Sequence, residues 1–193
     1  MKKISLDDIK GLAAYEKIRD DFRQRIIELK KKRRIPVGDK VSLVFENRDT
    51  VIFQIQEMLR AERITDLDKV RDEIETYNSL IPEPGELSAT LLLEIEDQVN
   101  LREELLKFLG VDEAVFLKVG DKNTVRARFE EGHSREDKIS AVQYVRFPVG
   151  KELIKDFTDK NNEIKLVIDH PNYRAEAKLE PGTRQSLTED LEP

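Results

Sequence analysis

Apolar residues recur at steps of three and four in the first part of the chain, which is the spacing of an amphipathic helix. The first such stretch, residues 12–33, places Tyr15, Ile18, Phe22, Ile26 and Leu29 on one face. Further helical stretches are residues 48–63, a segment capped by Thr65, and residues 97–109, whose apolar face includes Val99. The pattern therefore predicts four helices before residue 110.

Apolar and polar residues alternate in other stretches, as they do in strands whose two faces differ. These stretches are residues 39–47, 88–95, 114–119, 124–130, 138–147, 164–169 and 173–180. Residues 150–158 and 183–191 are predicted as short helices, and Pro84-Gly85 suits a type II turn. Polar turns join several neighbouring strands, which favours antiparallel pairing. The prediction is an α+β fold, with N-terminal helices packed on a mostly antiparallel β-sheet.

A chain of 193 residues is typical of one domain. We predict a single α+β domain over residues 1–193. Its parts are an N-terminal helical segment (residues 1–36), a mixed helix and strand region (37–110) and a β-rich part (111–193).

Charge is distributed unevenly along this chain. Residues 1–34 carry 12 Lys and Arg against 6 Asp and Glu, whereas the remaining residues have a net charge of −12. The basic run "KKKRR" (30–34) is predicted to lie in the last turn of the first helix, where cations favour the negative end of the helix dipole. A basic helix is also typical of a nucleic-acid-binding arm, but the acidic remainder would repel phosphate and argues against that function.

Several chemistries are excluded or disfavoured by composition. There is no cysteine, which excludes disulfides, thiolate zinc sites and cysteine-ligated iron–sulfur clusters. Glycine-rich nucleotide-binding motifs are also absent. Of the two histidines, His133 is predicted to lie in an exposed loop and His170 in a turn, so we expect no metal site and no cofactor. The N-terminus lacks an apolar signal segment and no apolar run could span a bilayer, so a cytoplasmic protein is expected.

The first candidate site lies where the strand at 39–47 meets the following helix. Glu46 and Arg48 flank this junction, and Glu86 precedes the next strand. Arg48 falls on the apolar side of the helix, and covered polar groups need partners. The functional interpretation is a pocket at the junction. The alternative is a long side chain that reaches solvent at the helix end.

The second candidate site is a cationic sheet face. Arg126 and Arg128 alternate along one predicted strand, and Tyr144 and Arg146 alternate along another. If all four side chains share a face, they form a surface suited to a carboxylate or a phosphate. The alternative is a solvated face with cross-strand ion pairs between arginine and glutamate.

Four segments resemble an uncharacterised bacterial family, domain of unknown function 3501. They are "FENRDTVIFQIQEMLRAERI", "YNSLIPEPGELSATL", "RFEEG" and "AVQYVRFP", and the likeness extends from "ISLDDI" to about Pro148. That family has no assigned activity, so the resemblance implies no catalytic residue. Its genes are often found beside those for rubrerythrin-like proteins and iron–sulfur proteins of the heterodisulfide-reductase kind, which implies a redox or oxidative-stress setting.

The expected function is that of a cytoplasmic accessory or binding protein, acting through a protein partner or a small anionic ligand. One alternative is an enzyme that uses carboxylates and arginines, with or without Mg²⁺. The other is a nucleic-acid binder that uses the basic N-terminal helix.

Overall fold

The fold was analysed in a computed structural model that describes residues 1–97, 99–130, 134–135 and 138–191. The α-helices are α1 (Leu12–Lys31), α2 (Arg48–Ala61), α3 (Leu67–Asn78), α4 (Leu101–Leu106), α5 (Gly150–Thr158) and α6 (Pro181–Leu191). The strands are β1 (Arg34–Pro36), β2 (Val41–Glu46), β3 (Glu86–Leu93), β4 (Val115–Val119), β5 (Asn123–Arg126), β6 (Arg128–Phe129), β7 (Ser134–Arg135), β8 (Lys138–Ile139), β9 (Val142–Pro148), β10 (Ile164–His170) and β11 (Tyr173–Lys178). None of the described helices is long and apolar enough to cross a lipid bilayer.

Two antiparallel sheets form the centre of the fold. The first sheet has the strand order β1-β2-β3-β9-β6, and the second has the order β11-β10-β4-β5. Strands β7 and β8 pair separately. The α+β prediction is therefore confirmed, with two main sheets where the sequence pattern predicted one.

The main hydrophobic core lies between the two sheets. It contains alternate residues of the first sheet, such as Phe45 and Phe147, together with alternate residues of the second, such as Leu117 and Leu166. Phe157 of α5 and residues of α6 complete this core. Alternate burial follows from the strand period of two, which sends successive side chains to opposite faces.

The opposite face of the first sheet meets the N-terminal helices. Val51 and Ile55 of α2 and Ile74 of α3 form a second apolar cluster, against which Tyr144 of β9 packs. All six residues of β2 are buried, because both faces of the first sheet are covered there. Polar residues of β2, β3 and β9 are consequently enclosed between the sheet and the helices.

Two helix starts differ from the predictions. Asp66, not Thr65, caps α3, because the Asp66 carboxylate accepts hydrogen bonds from two backbone N–H groups of the first turn. The helix predicted from residue 97 begins at Leu101. The Asp97 carboxylate accepts from the N–H groups of Val99 and Asn100, forming a turn, and Val99 is 93% exposed.

The basic run after α1 is not uniformly solvated. Arg33 is 1% exposed and pairs with Asp190 of α6. The prediction that "KKKRR" lies in the last turn of the first helix is therefore confirmed for Lys30 and Lys31 but wrong for Arg33 and Arg34, which follow the end of α1 at Lys31.

Candidate functional site

Four polar residues form a row across the first sheet. Glu46 of β2 is opposite Ser88 of β3, which is opposite Arg146 of β9, and Arg146 is opposite Arg128 of β6. Antiparallel neighbours in register lie close enough for their side chains to interact. The sheet therefore brings three of the predicted site residues into one line and adds Ser88.

A cavity of about 180 Å³ lies over this row, at the end of α3. Its polar lining consists of Ser79, Ser88, Arg128, Glu130, Tyr144 and Arg146. We call it the Ser88 pocket. Three of the seven predicted site residues, Arg128, Tyr144 and Arg146, line it directly, and Glu86 contacts it through Arg146.

Arg126 does not join this pocket, because β5 and β6 belong to different sheets. The chain leaves the second sheet after Arg126 and enters the first at Arg128, with Ala127 buried between them. Arg126 instead lies 3.6 Å from the exposed carboxylate of Glu113. The predicted single strand over 124–130 is therefore wrong: β5 and β6 are two strands in different sheets, and Arg126 lies outside the Ser88 pocket.

Arg146 is held rigidly in the wall of the Ser88 pocket. Its guanidinium forms an ion pair with Glu86 and donates to the carbonyl oxygen of Ser79 and, at 3.5 Å, to that of Ile81. Ser79 is the C-terminal cap of α3, where a cation also interacts favourably with the helix dipole. Arg146 thus connects α3 to the sheet and places its positive charge beside the pocket.

Ser88 lies on the floor of the pocket. It is 2% exposed, and its hydroxyl forms no hydrogen bond within the part of the chain that the structure describes. Ser88 Oγ is not among the fully buried polar atoms that lack a partner, so the hydroxyl is open to the cavity, where a ligand can bind it.

Tyr144 contributes a phenol to the pocket wall. Burial raises the pKa of Tyr144, and the nearby carboxylates of Glu46 and Glu130 raise it further. The phenol consequently stays protonated at neutral pH and retains a hydrogen-bond donor.

Glu46 has a local role at the junction of β2 and α2. It is 1% exposed, and its two carboxylate oxygens accept hydrogen bonds from Thr50 at 2.5 Å and Thr90 at 2.7 Å. Thr50 belongs to the first turn of α2 and Thr90 to β3. The carboxylate therefore connects the start of α2 to the centre of the first sheet.

Arg48 is bound to the N-terminal segment. One Nη atom lies 2.6 Å from the carboxylate of Asp8, while its buried Nε has no hydrogen-bond partner among the described residues. Hydrogen bonding to Arg48 lowers the pKa of Asp8 to about 2. Glu46 and Arg48 thus have separate partners, and Arg48 lies outside the lining of the Ser88 pocket.

His170 belongs to no metal-binding group within the described part of the chain. His170 is 3% exposed, and its Nε2 is 2.7 Å from the carbonyl oxygen of Leu109 while its Nδ1 accepts from the N–H of Asn172. His133 lies outside the described residues. Among the described residues, no group of three or more His, Asp and Glu side chains is placed to hold a metal ion.

Sequence reasoning missed Ser88 and Ser79. The available signal for Ser88 was its position in "ELSATLLL". Ser88 and Thr90 are polar residues two positions apart in a mostly apolar strand, so their side chains share a face. Ser79 carried no such signal, because it reaches the pocket only through the packing of the α3 end on the sheet.

Together these features define an α+β protein with two antiparallel sheets and a small pocket, lined by both polar and apolar residues, between one sheet and its helices. The chain belongs to the family described as "Protein of unknown function (DUF3501)", whose sequence model matches residues 3–191.

A solved structure with the same fold comes from Burkholderia pseudomallei K96243 and is described as a novel protein of unknown function. It superposes with a TM-score of 0.91 at 33% sequence identity, covering 99% of this chain and 100% of that one. No curated protein matches the chain.

Proposed function

We propose that the protein is a binding protein that takes a small oxyanion, a carboxylate or a phosphate, in the Ser88 pocket. The observation that carries this proposal is the Ser88 hydroxyl, which opens into a cavity lined by Arg128 and Arg146 and has no hydrogen-bond partner within the described residues. An oxyanion in the cavity would accept a hydrogen bond from this hydroxyl.

The two arginines that line the pocket outnumber its one glutamate, Glu130, which supports an anionic ligand. Arg128 and Arg146 are directly opposite each other on neighbouring strands, and like charges in this position repel. Glu86 balances Arg146, but Arg128 is exposed and has no ion-pair partner among the described residues. An anion held between the two guanidinium groups would relieve this repulsion and form charge-assisted hydrogen bonds.

The size of the pocket restricts the ligand. Pockets for drug-sized molecules have volumes of about 300–1,000 Å³, whereas this one measures about 180 Å³. The ligand is therefore a small anion, or the anionic end of a larger molecule whose remainder extends into solvent past the exposed Arg128.

Titration calorimetry with inorganic phosphate and with acetate tests this function. Arg128→Gln and Ser88→Ala should each weaken binding by about tenfold, or ~1.4 kcal/mol, because each removes a donor to the anion. Arg126→Gln is the matched control and should bind like the wild type, because Arg126 does not line the pocket. The proposal would be contradicted if neither phosphate nor acetate bound. It would also be contradicted if Arg126→Gln weakened binding as much as Arg128→Gln.

The wider setting stays a prediction. An accessory role in a redox or oxidative-stress pathway and a cytoplasmic location rest on the family resemblance and the sequence pattern. The carboxylate and arginine enzyme and the nucleic-acid binder also stay predictions. The anion-binding function takes precedence over them because it rests on a located cavity with identified donors.

A further inference from the structure

Strand β5 is an edge strand of the second sheet, with β4 on one side. The N–H of Ala127 donates to the carbonyl oxygen of Val115 at 2.9 Å, and Val125 pairs with Leu117 two residues earlier. In an antiparallel ladder, the intervening residues direct their backbone groups away from the partner strand. The N–H and C=O groups of Thr124 and Arg126 therefore point outward, and they form no hydrogen bonds within the described residues.

An open groove of about 640 Å³ runs beside this edge. Its lining combines two cations, Arg126 and Arg128, and one carboxylate, Asp112, with the apolar side chains of Phe129, Pro148 and Leu153. The groove thus combines outward backbone groups, a net positive lining of two arginines and one aspartate, and apolar contacts. These are the components by which a sheet edge binds an extended peptide.

The other edge of the second sheet, β11, differs in its charges. Its outward side chains are all charged, and each forms an ion pair with a neighbour in this chain. The pairs are Arg174 with Asp169, Glu176 with Lys165, and Lys178 with Glu163. Alternating, internally paired charges protect an edge from further pairing. At β5, by contrast, Arg126 has only a loose contact at 3.6 Å with Glu113, and both side chains are more than half exposed.

We propose that the β5 edge, residues 123–126, binds an extended acidic segment of a partner protein by strand addition. Backbone groups of the segment pair with Thr124 and Arg126, while its carboxylates meet Arg126 and Arg128. A second copy of this chain is a poorer occupant, because antiparallel self-pairing of β5 would bring the arginines of one copy close to those of the other.

The test uses two synthetic hexapeptides in which valine alternates with a charged residue. The charged residue is glutamate in one peptide and lysine in the other. Each is titrated into isotope-labelled protein, and amide shifts and hydrogen exchange are followed by NMR. The glutamate peptide should shift the amide signals of Thr124 and Arg126 and slow their exchange. The lysine peptide should do neither. No slowing with the glutamate peptide, or equal slowing with both, would overturn the proposal.

Two variants separate strand addition from a general charge effect. Thr124→Pro removes an outward N–H and leaves the hydrogen bonds to β4 in place. Edge strands tolerate proline at such a position. This variant should weaken binding of the glutamate peptide at least fivefold. Arg126→Glu should weaken it at least tenfold through charge alone. The matched control is Arg174→Glu on β11, which makes the same change on the opposite edge and should bind like the wild type. Equal weakening in this control would also overturn the proposal.

Discussion

Arg33 and Asp190 form an ion pair that joins positions 157 residues apart, and their side chains are 1% and 3% exposed. The Arg33 guanidinium also donates to the carbonyl oxygens of Phe45 at 2.8 Å and Glu46 at 3.1 Å, at the end of β2. It donates as well to the carbonyl and hydroxyl oxygens of Ser186 in α6. One side chain therefore fixes α6 against the first sheet.

Arg33→Met should destabilise the protein by about 3–5 kcal/mol, because it leaves the Asp190 carboxylate buried without a cation. Burial already raises the pKa of Asp190, and Arg33 counters that effect. The free energy of unfolding from urea titration measures the loss. The double variant Arg33→Met/Asp190→Leu should recover most of it, since an apolar pair leaves no charge unpaired. A double variant as unstable as Arg33→Met would show that the lost carbonyl contacts dominate.

A surface pair supplies the control for this measurement. Arg71 and Asp68 are paired at 2.7 Å on α3, with 57% and 90% of their side chains exposed. Arg71→Met should cost less than about 1 kcal/mol, because solvent screens exposed ion pairs.

The pairing of Asp8 with Arg48 should make stability depend on acidity. The pKa of Asp8 falls from 3.8 to about 2 on folding, so its contribution is present above pH 3.8 and is lost as the pH falls toward 2. Because the pair is partly exposed, this contribution should not exceed about 1 kcal/mol. By urea unfolding, the wild type should therefore have a larger free energy of unfolding than Asp8→Asn at pH 6, and this difference should disappear by about pH 2. Asp7→Asn, at the exposed neighbouring position, should show no such difference.

Gly38→Ala should destabilise the protein by about 2–4 kcal/mol. Gly38 has a φ of +78°, and a Cβ there would lie 2.2 Å from the Tyr173 hydroxyl. That hydroxyl donates to the carbonyl oxygen of Val37 and accepts from the N–H of Lys40, so its displacement breaks two hydrogen bonds. Thermal unfolding measures the effect. In the control Gly182→Ala, the new methyl meets no atom within 4 Å, and a helical alanine should stabilise by about 0.5 kcal/mol.

Gln56→Ala should release the N-terminal segment from α2. Gln56 is 1% exposed, and its amide accepts from the N–H of Lys10 at 2.7 Å and donates to the Lys10 carbonyl oxygen at 3.0 Å. Loss of both bonds should cost about 2 kcal/mol and accelerate exchange of the Lys10 amide. Gln54→Ala, on the same helix without these bonds, should leave that exchange rate unchanged. Equal rates in both variants would contradict this role of Gln56.

The secondary structure was largely predictable because its signals are local. The period of the apolar residues located α1, α2 and α3, and alternation located β2, β4, β10 and β11 within a few residues. The type II turn expected at Pro84-Gly85 agrees with the φ of +78° at Gly85. The start of α4 was wrong, because the competing turn at Asp97 uses side-chain hydrogen bonds that periodicity does not reveal.

The candidate site was only partly predictable. The parity of Tyr144 and Arg146 correctly placed both side chains on one face, and Arg128 joined them. Arg126 and Arg128 are two positions apart in the sequence, which predicts a shared face within one strand. The chain passes from one sheet to the other at Ala127, however, so Arg126 belongs to the second sheet and Arg128 to the first. Parity predicts a shared face only within one strand, and the point at which a chain changes sheets depends on non-local pairing.

The sequence by itself determined most of the helices and strands, the α+β class and the lack of thiol chemistry, because these depend on residue type and on spacing along the chain. Only the tertiary structure decided that Arg33 is buried, that Ser88 shares a pocket with two arginines, and that Arg126 belongs to an open sheet edge. The physical reason is that these features arise from contacts between distant segments. Burial and electrostatic environment depend on which surfaces meet, and local periodicity carries no record of that choice.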